Sequence, residues 1–203
     1  MGREYPQDFA EVIRFHGHVC PGLAIGYRAA LAARSHLGAQ RSQDEELVAI
    51  VETDACSVDA IQVELGCTLG KGNLIYRDLG KHVFTVVSRE EGKAVRISMR
   101  GDALQPNPEQ EALLQRVRSG GATEEEQHAY DAFQQERIWE LLHMDEDTLF
   151  RIDESAVEVP EKARIFKSVI CHYCGEKVME PRARIRDGEI ACMPCAKSYS
   201  RGW

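Results

Sequence analysis

Residues 81–100, KHVFTVVSREEGKAVRISMR, carry two runs of alternating or β-branched residues on either side of Glu90-Glu91-Gly92. Two such runs joined by a glycine turn predict a β-hairpin. Just upstream, NLIYRD (73–78) reads as a third strand, and ELVAIVET (46–53) as a continuous apolar strand of the fully buried kind. Three helical patterns precede or interrupt these strands: PQDFAEVIRF (6–15), GLAIGYRAALAARSHL (22–37) and ACSVDAIQVELG (55–66). Asp8 and Asp54 stand where N-caps are expected, Pro21 stands at a first turn, and Gly38 at a helix end. Helices followed by a strand meander define an α+β fold, with helices packed on an antiparallel or mixed sheet over residues 1–101.

From residue 102 the composition changes. Residues 1–101 are nearly neutral, residues 102–160 carry net charge −11, and residues 161–203 carry +4. The middle stretch reads as an acidic helical extension: EQEALLQRVRSG and TEEEQHAYDAFQQERIWELLHM, separated by Gly120-Gly121. Thr123 and Glu126 have capping-box spacing. Leu113, Leu114, Val117, Phe133, Ile138, Leu141 and Leu142 must bury against the α+β domain or a second subunit. Residues 149–170 then read as extended.

The 203-residue chain has net charge −8, which argues against nucleic-acid binding along its whole length. No apolar run approaches the roughly 20 residues of a membrane span, and the polar N-terminus lacks the apolar core of a secretory signal; a cytoplasmic protein is expected. Seven cysteines, four of them in two Cys-x-x-Cys pairs, suit metal binding in a reducing compartment better than disulfides.

Those pairs are Cys171/Cys174 and Cys192/Cys195, with 17 residues between them. Two intervening residues let both sulfurs of a pair reach one ion, and zinc accepts four thiolates tetrahedrally. Gly175 permits the tight turn, Asp187-Gly188 signals a hairpin, and Pro194 opens a helix, the pattern of a small treble-clef zinc finger. The competing redox reading needs a βαβ setting that the segment lacks. His172 reads as a surface residue. Lys167, Lys177, Arg182, Arg184, Arg186 and Lys197 face water or contact phosphate or an acidic protein.

A second constellation lies near the N-terminus. His16, His18 and Cys20 fall within five residues, between two helices. Cys20 and Cys56 both precede or open a helix, where free N–H groups favour the thiolate. A site from His16 or His18 with Cys20 and Cys56 would hold a second transition metal with an open position, making Cys20 and Cys56 candidate catalytic residues. Asp59 could orient a ligand. Cys67, about 16 Å from Cys56 by helical rise, should not share the ion. Gly70-Lys71-Gly72-Asn73 is either an anion cradle, with Lys71 as the cofactor contact, or a plain turn. His82, His128 and His143 read as structural.

FHGHVCPGLAIGYRAA (15–30), Asp54-Ala55-Cys56 and Gly66-Cys67-Thr68-Leu69-Gly70-Lys71-Gly72-Asn73 together resemble the FmdE family of formylmethanofuran dehydrogenase subunits over about residues 9–150. The terminal finger resembles the auxiliary finger some members carry. The resemblance implies an α+β core that forms a homodimer and binds metal through His16, His18, Cys20 and Cys56, with Cys67 nearby. It also implies a subunit or accessory role, with a protein partner, in molybdenum- or tungsten-linked one-carbon oxidoreductase chemistry related to methanogenesis. Two other readings share these residues: a metal-responsive regulator using its finger on nucleic acid or protein, and a metal or molybdate handling protein without turnover.

Overall fold

The structure, a computed structural model, describes residues 4–155 and 158–197; residues 1–3, residues 156–157 of the expected extended stretch, and residues 198–203 of the expected finger domain (161–203) lie outside them. It divides into two compact units, residues 1–162 and 163–203.

The first unit is α+β. Helix α1 (Gln7–His16) buries Phe9 and Val12. Helix α2 (Pro21–Leu37) is buried along most of its length, because alanine and glycine leave room for neighbours on several sides. Strand β1 (Leu47–Val51) is buried at every position, as its unbroken apolar run requires. Helix α3 (Ser57–Leu65) follows, then strands β2 (Leu74–Tyr76), β3 (Val83–Ser88) and β4 (Lys93–Met99). The Glu90–Gly92 turn joins β3 to β4, with Thr85 opposite Arg96. Helices α4 (Pro108–Arg118), α5 (Glu124–His143) and α6 (Glu146–Leu149) lead into β5 (Phe150–Ser155).

The sheet order is β2-β1-β3-β4-β5. Only β1 and β2 run parallel, so the sheet is mixed. One face carries the main core, where Leu23, Phe84, Ile97, Leu141 and Phe150 pack with the helices. Val48, Val87 and Ala94 form a small cluster on the opposite face. The acidic stretch contributes to the same unit: β5 pairs with β4, and α5 packs on α2. The Arg28 guanidinium, half-buried on α2, donates to the carbonyls of Leu141 at 2.6 Å and Met144 at 2.7 Å. Those carbonyls sit at the C-terminal end of α5, where helix acceptors lack intrahelical partners. Of the seven apolar residues expected to bury there, Ile138 and Leu141 do so fully and the others are half-buried; α4 packs chiefly on α5.

Two caps differ from expectation. The N-cap of α1 is Pro6, and Asp8 instead faces Tyr27, whose phenol is pushed up by burial and then by that carboxylate. The N-cap of α3 is Cys56 rather than Asp54, because the helix starts two residues later than its pattern suggests. The Thr123/Glu126 capping box forms, as does an Asn107/Gln110 box on α4.

In the second unit, β6 (Ser168–Ile170) pairs with β7 (Lys177–Met179), and β8 (Arg184–Arg186) with β9 (Glu189–Ala191). Helix α7 (Met193–Ala196) ends it. Asp187 and Gly188 both take positive φ in the β8–β9 turn, the geometry an Asp-Gly hairpin supplies.

Candidate metal centres

The finger cysteines converge through short, local connections. Cys171 and Cys174 flank a turn closed by the Gly175 amide donating to the Cys171 carbonyl at 2.9 Å, with Gly175 at φ +76°. Cys192 is the N-cap of α7, and Cys195 lies inside it. All four sulfurs lie within 4.8 Å of one another, with Cys174 and Cys192 Sγ 3.8 Å apart. That separation matches the edge of a zinc–sulfur tetrahedron, about 3.8 Å for 2.3 Å bonds. The Cys192 amide donates to Cys171 Sγ, and with smaller contributions brings that thiol down to about 6. Hydrogen bonding to Cys192, then burial, pushes Cys195 up to about 12. Four crowded sulfurs cannot all ionise without a cation among them, whereas a bound zinc deprotonates them outright.

The core cluster is assembled from three elements. His16 ends α1, Cys20 is the N-cap of α2, and Cys56 is the N-cap of α3. Donor atoms of His16, His18, Cys20 and Cys56 all lie within 4.8 Å of one another. The two imidazoles stack at 4.4 Å between centroids. Asp59, one turn into α3, holds His16 Nδ1 at 2.7 Å. His16 Nε2 is buried and meets no hydrogen-bond partner. Metal-ligating histidines are held in this way, with a carboxylate on one ring nitrogen and the other aimed among further donors. The donors therefore fit a soft or borderline transition metal.

Gly26 makes this convergence possible, and Gly22 lies beside it in ordinary contact. A Cβ at Gly26 would lie 2.1 Å from the Ser57 carbonyl oxygen, so α2 and the start of α3 touch backbone to backbone. One turn earlier, a Cβ at Gly22 would meet Cys56 Cβ at 3.4 Å and Cys20 Sγ at 3.9 Å. The signal for these residues was two glycines four apart inside an alanine-rich helix, a costly choice unless another chain segment approaches that face.

Other expected residues fall outside the cluster. The Lys71 ammonium donates to the carbonyls of Gln43 at 3.3 Å and Asp44 at 2.9 Å. The loop's own amides are used internally: Lys71 N–H on Thr68 Oγ1, Gly72 N–H on the Leu69 carbonyl. Those bonds are what a plain turn needs. Cys67 is buried beyond the end of α3, and burial pushes its thiol up to about 12. Burial also raises Cys20, outweighing the Leu23 amide that donates to its sulfur; the expected thiolate bias of the helix N-terminus loses to desolvation. His82, His128 and His143 join neither cluster.

Fold and donors together define a two-part metal-binding protein: a mixed-sheet α+β unit with a His/Cys cluster, and a four-cysteine zinc finger. Residues 15–151 match the family described as FmdE, molybdenum formylmethanofuran dehydrogenase operon, and the chain belongs to that family. Residues 164–201 match the prokaryotic dksA/traR C4-type zinc finger. The chain is 38% identical over 193 residues to a probable S-adenosyl-L-methionine-binding protein of Archaeoglobus fulgidus, covering 91% of this chain and 51% of that one. It thus spans about half the length of that relative. A crystal structure of a tungsten formylmethanofuran dehydrogenase FmdE-like protein from Syntrophus aciditrophicus superposes with a TM-score of 0.62. That match covers 93% of this chain and 90% of the other at 24% identity, a likeness of fold. Among the described residues, no helix is long and apolar enough to cross a membrane.

Proposed function

We propose that the chain holds a transition metal in its core through His16, His18, Cys20 and Cys56, besides the zinc of the finger. In this reading it serves, as a homodimer, as a subunit or accessory of a molybdenum- or tungsten-linked one-carbon redox system. The observation that carries it is His16, with Nδ1 fixed by Asp59 and Nε2 buried without a partner. The family's operon name and the fold shared with the Syntrophus protein support the system named.

Four donors in place of three would complete a tetrahedral set. His18 is the exposed member, so it is the ligand best able to leave and open a position. Cys20 and Cys56 would remain as thiolate ligands beside that position, and Asp59 would keep His16 in the tautomer that presents Nε2. The metal itself would supply Lewis acidity to whatever group occupies the vacated position.

Elemental analysis tests this directly. Wild-type protein should carry two metal ions per chain. A Cys20→Ala/Cys56→Ala double variant and a Cys171→Ala/Cys174→Ala double variant should each carry one. One ion in the wild type and none in the finger variant would end the core-metal reading.

A second reading, a metal-responsive adaptor, draws support from the finger. Ile170, Ile185 and Met193 are exposed on a unit that also presents Arg184 and Lys177. Retardation of a nucleic acid at low salt, weakening as salt rises, would favour it; no retardation at low salt would count against nucleic acid as the partner.

A further inference from the structure

We infer that the cleft beside the core His/Cys cluster binds a neutral or cationic small molecule with an apolar body, and turns oxyanions away. The inference deepens the core-metal reading and rests on it for the charge at the cluster.

The cleft encloses about 430 Å³, within the range of small-molecule sites. His16 and Cys56, two of the four clustered donors, form part of its lining. Val51, Leu74, Leu69 and Tyr76 give it apolar walls. Leu69 is 72% exposed and Tyr76 44%, so apolar surface is left to water beside the donor cluster. An occupant with an apolar body would cover that surface.

Beside neutral Thr53 and Gln62, the acidic side chains of the cleft have no basic side chain other than His16 to balance them. Asp54 and Asp59 line it, and no lysine or arginine does. A divalent ion held by two thiolates and two neutral imidazoles has no net charge, so the two carboxylates leave the cleft negative. Tyr76 feels the same field: burial raises its phenol, and the carboxylates of Asp78 and Asp54 raise it further. Lys71, the cation nearest in sequence to Leu69, spends its ammonium on the carbonyls of Gln43 and Asp44. An oxyanion entering here would shed water and find neither lysine nor arginine on the lining in return, which is a large cost. Asp59 is engaged by His16 and Gln62, so an ammonium on an apolar body gains the Asp54 carboxylate and the face of Tyr76 together.

The test uses full-length zinc-loaded protein and three probes: phenethylammonium, its near-isosteric anion 3-phenylpropionate, and molybdate. Calorimetry or ligand-observed NMR gives the affinities, and elemental analysis gives zinc per chain. The cation should bind at least tenfold more tightly than the anion, and molybdate should not bind. Asp54→Asn should cut the preference to threefold or less with both zinc ions retained, and Tyr76→Ala should weaken the cation alone at least fivefold. Equal or reversed preference in protein carrying two zinc ions, or saturation by neither organic probe, would overturn the cleft inference and leave the metal reading standing. One zinc per chain together with a cation preference would overturn the metal reading and support the cleft.

Discussion

Gly26→Ala places one methyl group where the two helices that carry Cys20 and Cys56 touch. The new Cβ would lie 2.1 Å from the Ser57 carbonyl oxygen, 2.6 Å from its Cα and 2.7 Å from its carbonyl carbon. All three are backbone atoms, so no side chain can swing aside. Ordinary contact distances return only if α2 and the start of α3 part by roughly 1 Å. Overpacking of this kind costs about 1–3 kcal/mol, and the better helix propensity of alanine returns up to about 1 kcal/mol. For a unit of this size the net loss, from near zero to about 3 kcal/mol, corresponds to a drop of up to about 12 °C in Tm. Metal binding is less forgiving, since ligand distances tolerate only about 0.2 Å. Separating Cys56 from Cys20 by roughly 1 Å should cost at least the 10–100-fold typical of losing a group that merely orients a ligand. Chelator competition followed by elemental analysis reads this as one metal lost early and the finger's zinc lost at the wild-type chelator concentration. Gly101→Ala, where a Cβ meets nothing within 4 Å, is the control. If Gly26→Ala keeps two metals at wild-type affinity, with Tm within about 1 °C, backbone contact between α2 and α3 does not set the site.

Asp59→Asn keeps the size of the side chain but weakens the hold on His16 Nδ1, and should lower core-metal affinity about 10–100-fold with finger zinc unchanged in the same competition assay. In metal-free protein, Cys171, lowered from 9.0 to about 6, should contribute stability that is complete above pH 9 and is lost as pH falls through about 6, which thiol titration of the apo-protein would follow; acid should also release the finger's zinc as its thiolates take up protons, read with a zinc dye. Cys67 should resist a maleimide at pH 8 in native protein and react once unfolded. Because its folded value is raised from 9.0 to about 12, its contribution to stability is complete below pH 9 and is lost above it, which denaturant titrations at pH 8 and 10 would measure. Arg28→Met should cost about 2–3 kcal/mol by leaving the Leu141 and Met144 carbonyls without their charged donor, read as a lower urea midpoint with unchanged metal content.

What the sequence disclosed follows the range over which each signal acts. The finger was legible to the residue because its ligands are held by contacts a few residues apart: a knuckle turn, an Asp-Gly hairpin and a helix N-terminus. The β3–β4 hairpin was legible for the same reason. The end strand β5 was less so: it pairs with β4 across more than fifty residues, and RIDES has no alternation that would mark a pairing face. The shift of the α3 N-cap from Asp54 to Cys56 was also invisible, since Asp54 stands where a capping residue is expected and Cys56 does not look like one.

The core cluster lies between these cases. His16, His18 and Cys20 announced themselves by proximity, but Cys56 joins them only because α2 and α3 approach closely, and that approach is written in Gly26 rather than in any ligand. The electrostatics then reversed one expectation. A helix N-terminus favours a thiolate, yet Cys20 is raised, because packing tight enough to bring four donors together also removes the water that would stabilise its charge. The same packing leaves His16 Nε2 without a partner. Both features are costs to the chain by itself, and one cation placed among the donors would remove both at once. A scaffold selected for stability alone could replace Cys20 with a serine cap and let His16 reach water; these two costs are the physical support for the proposal that the cluster holds an ion.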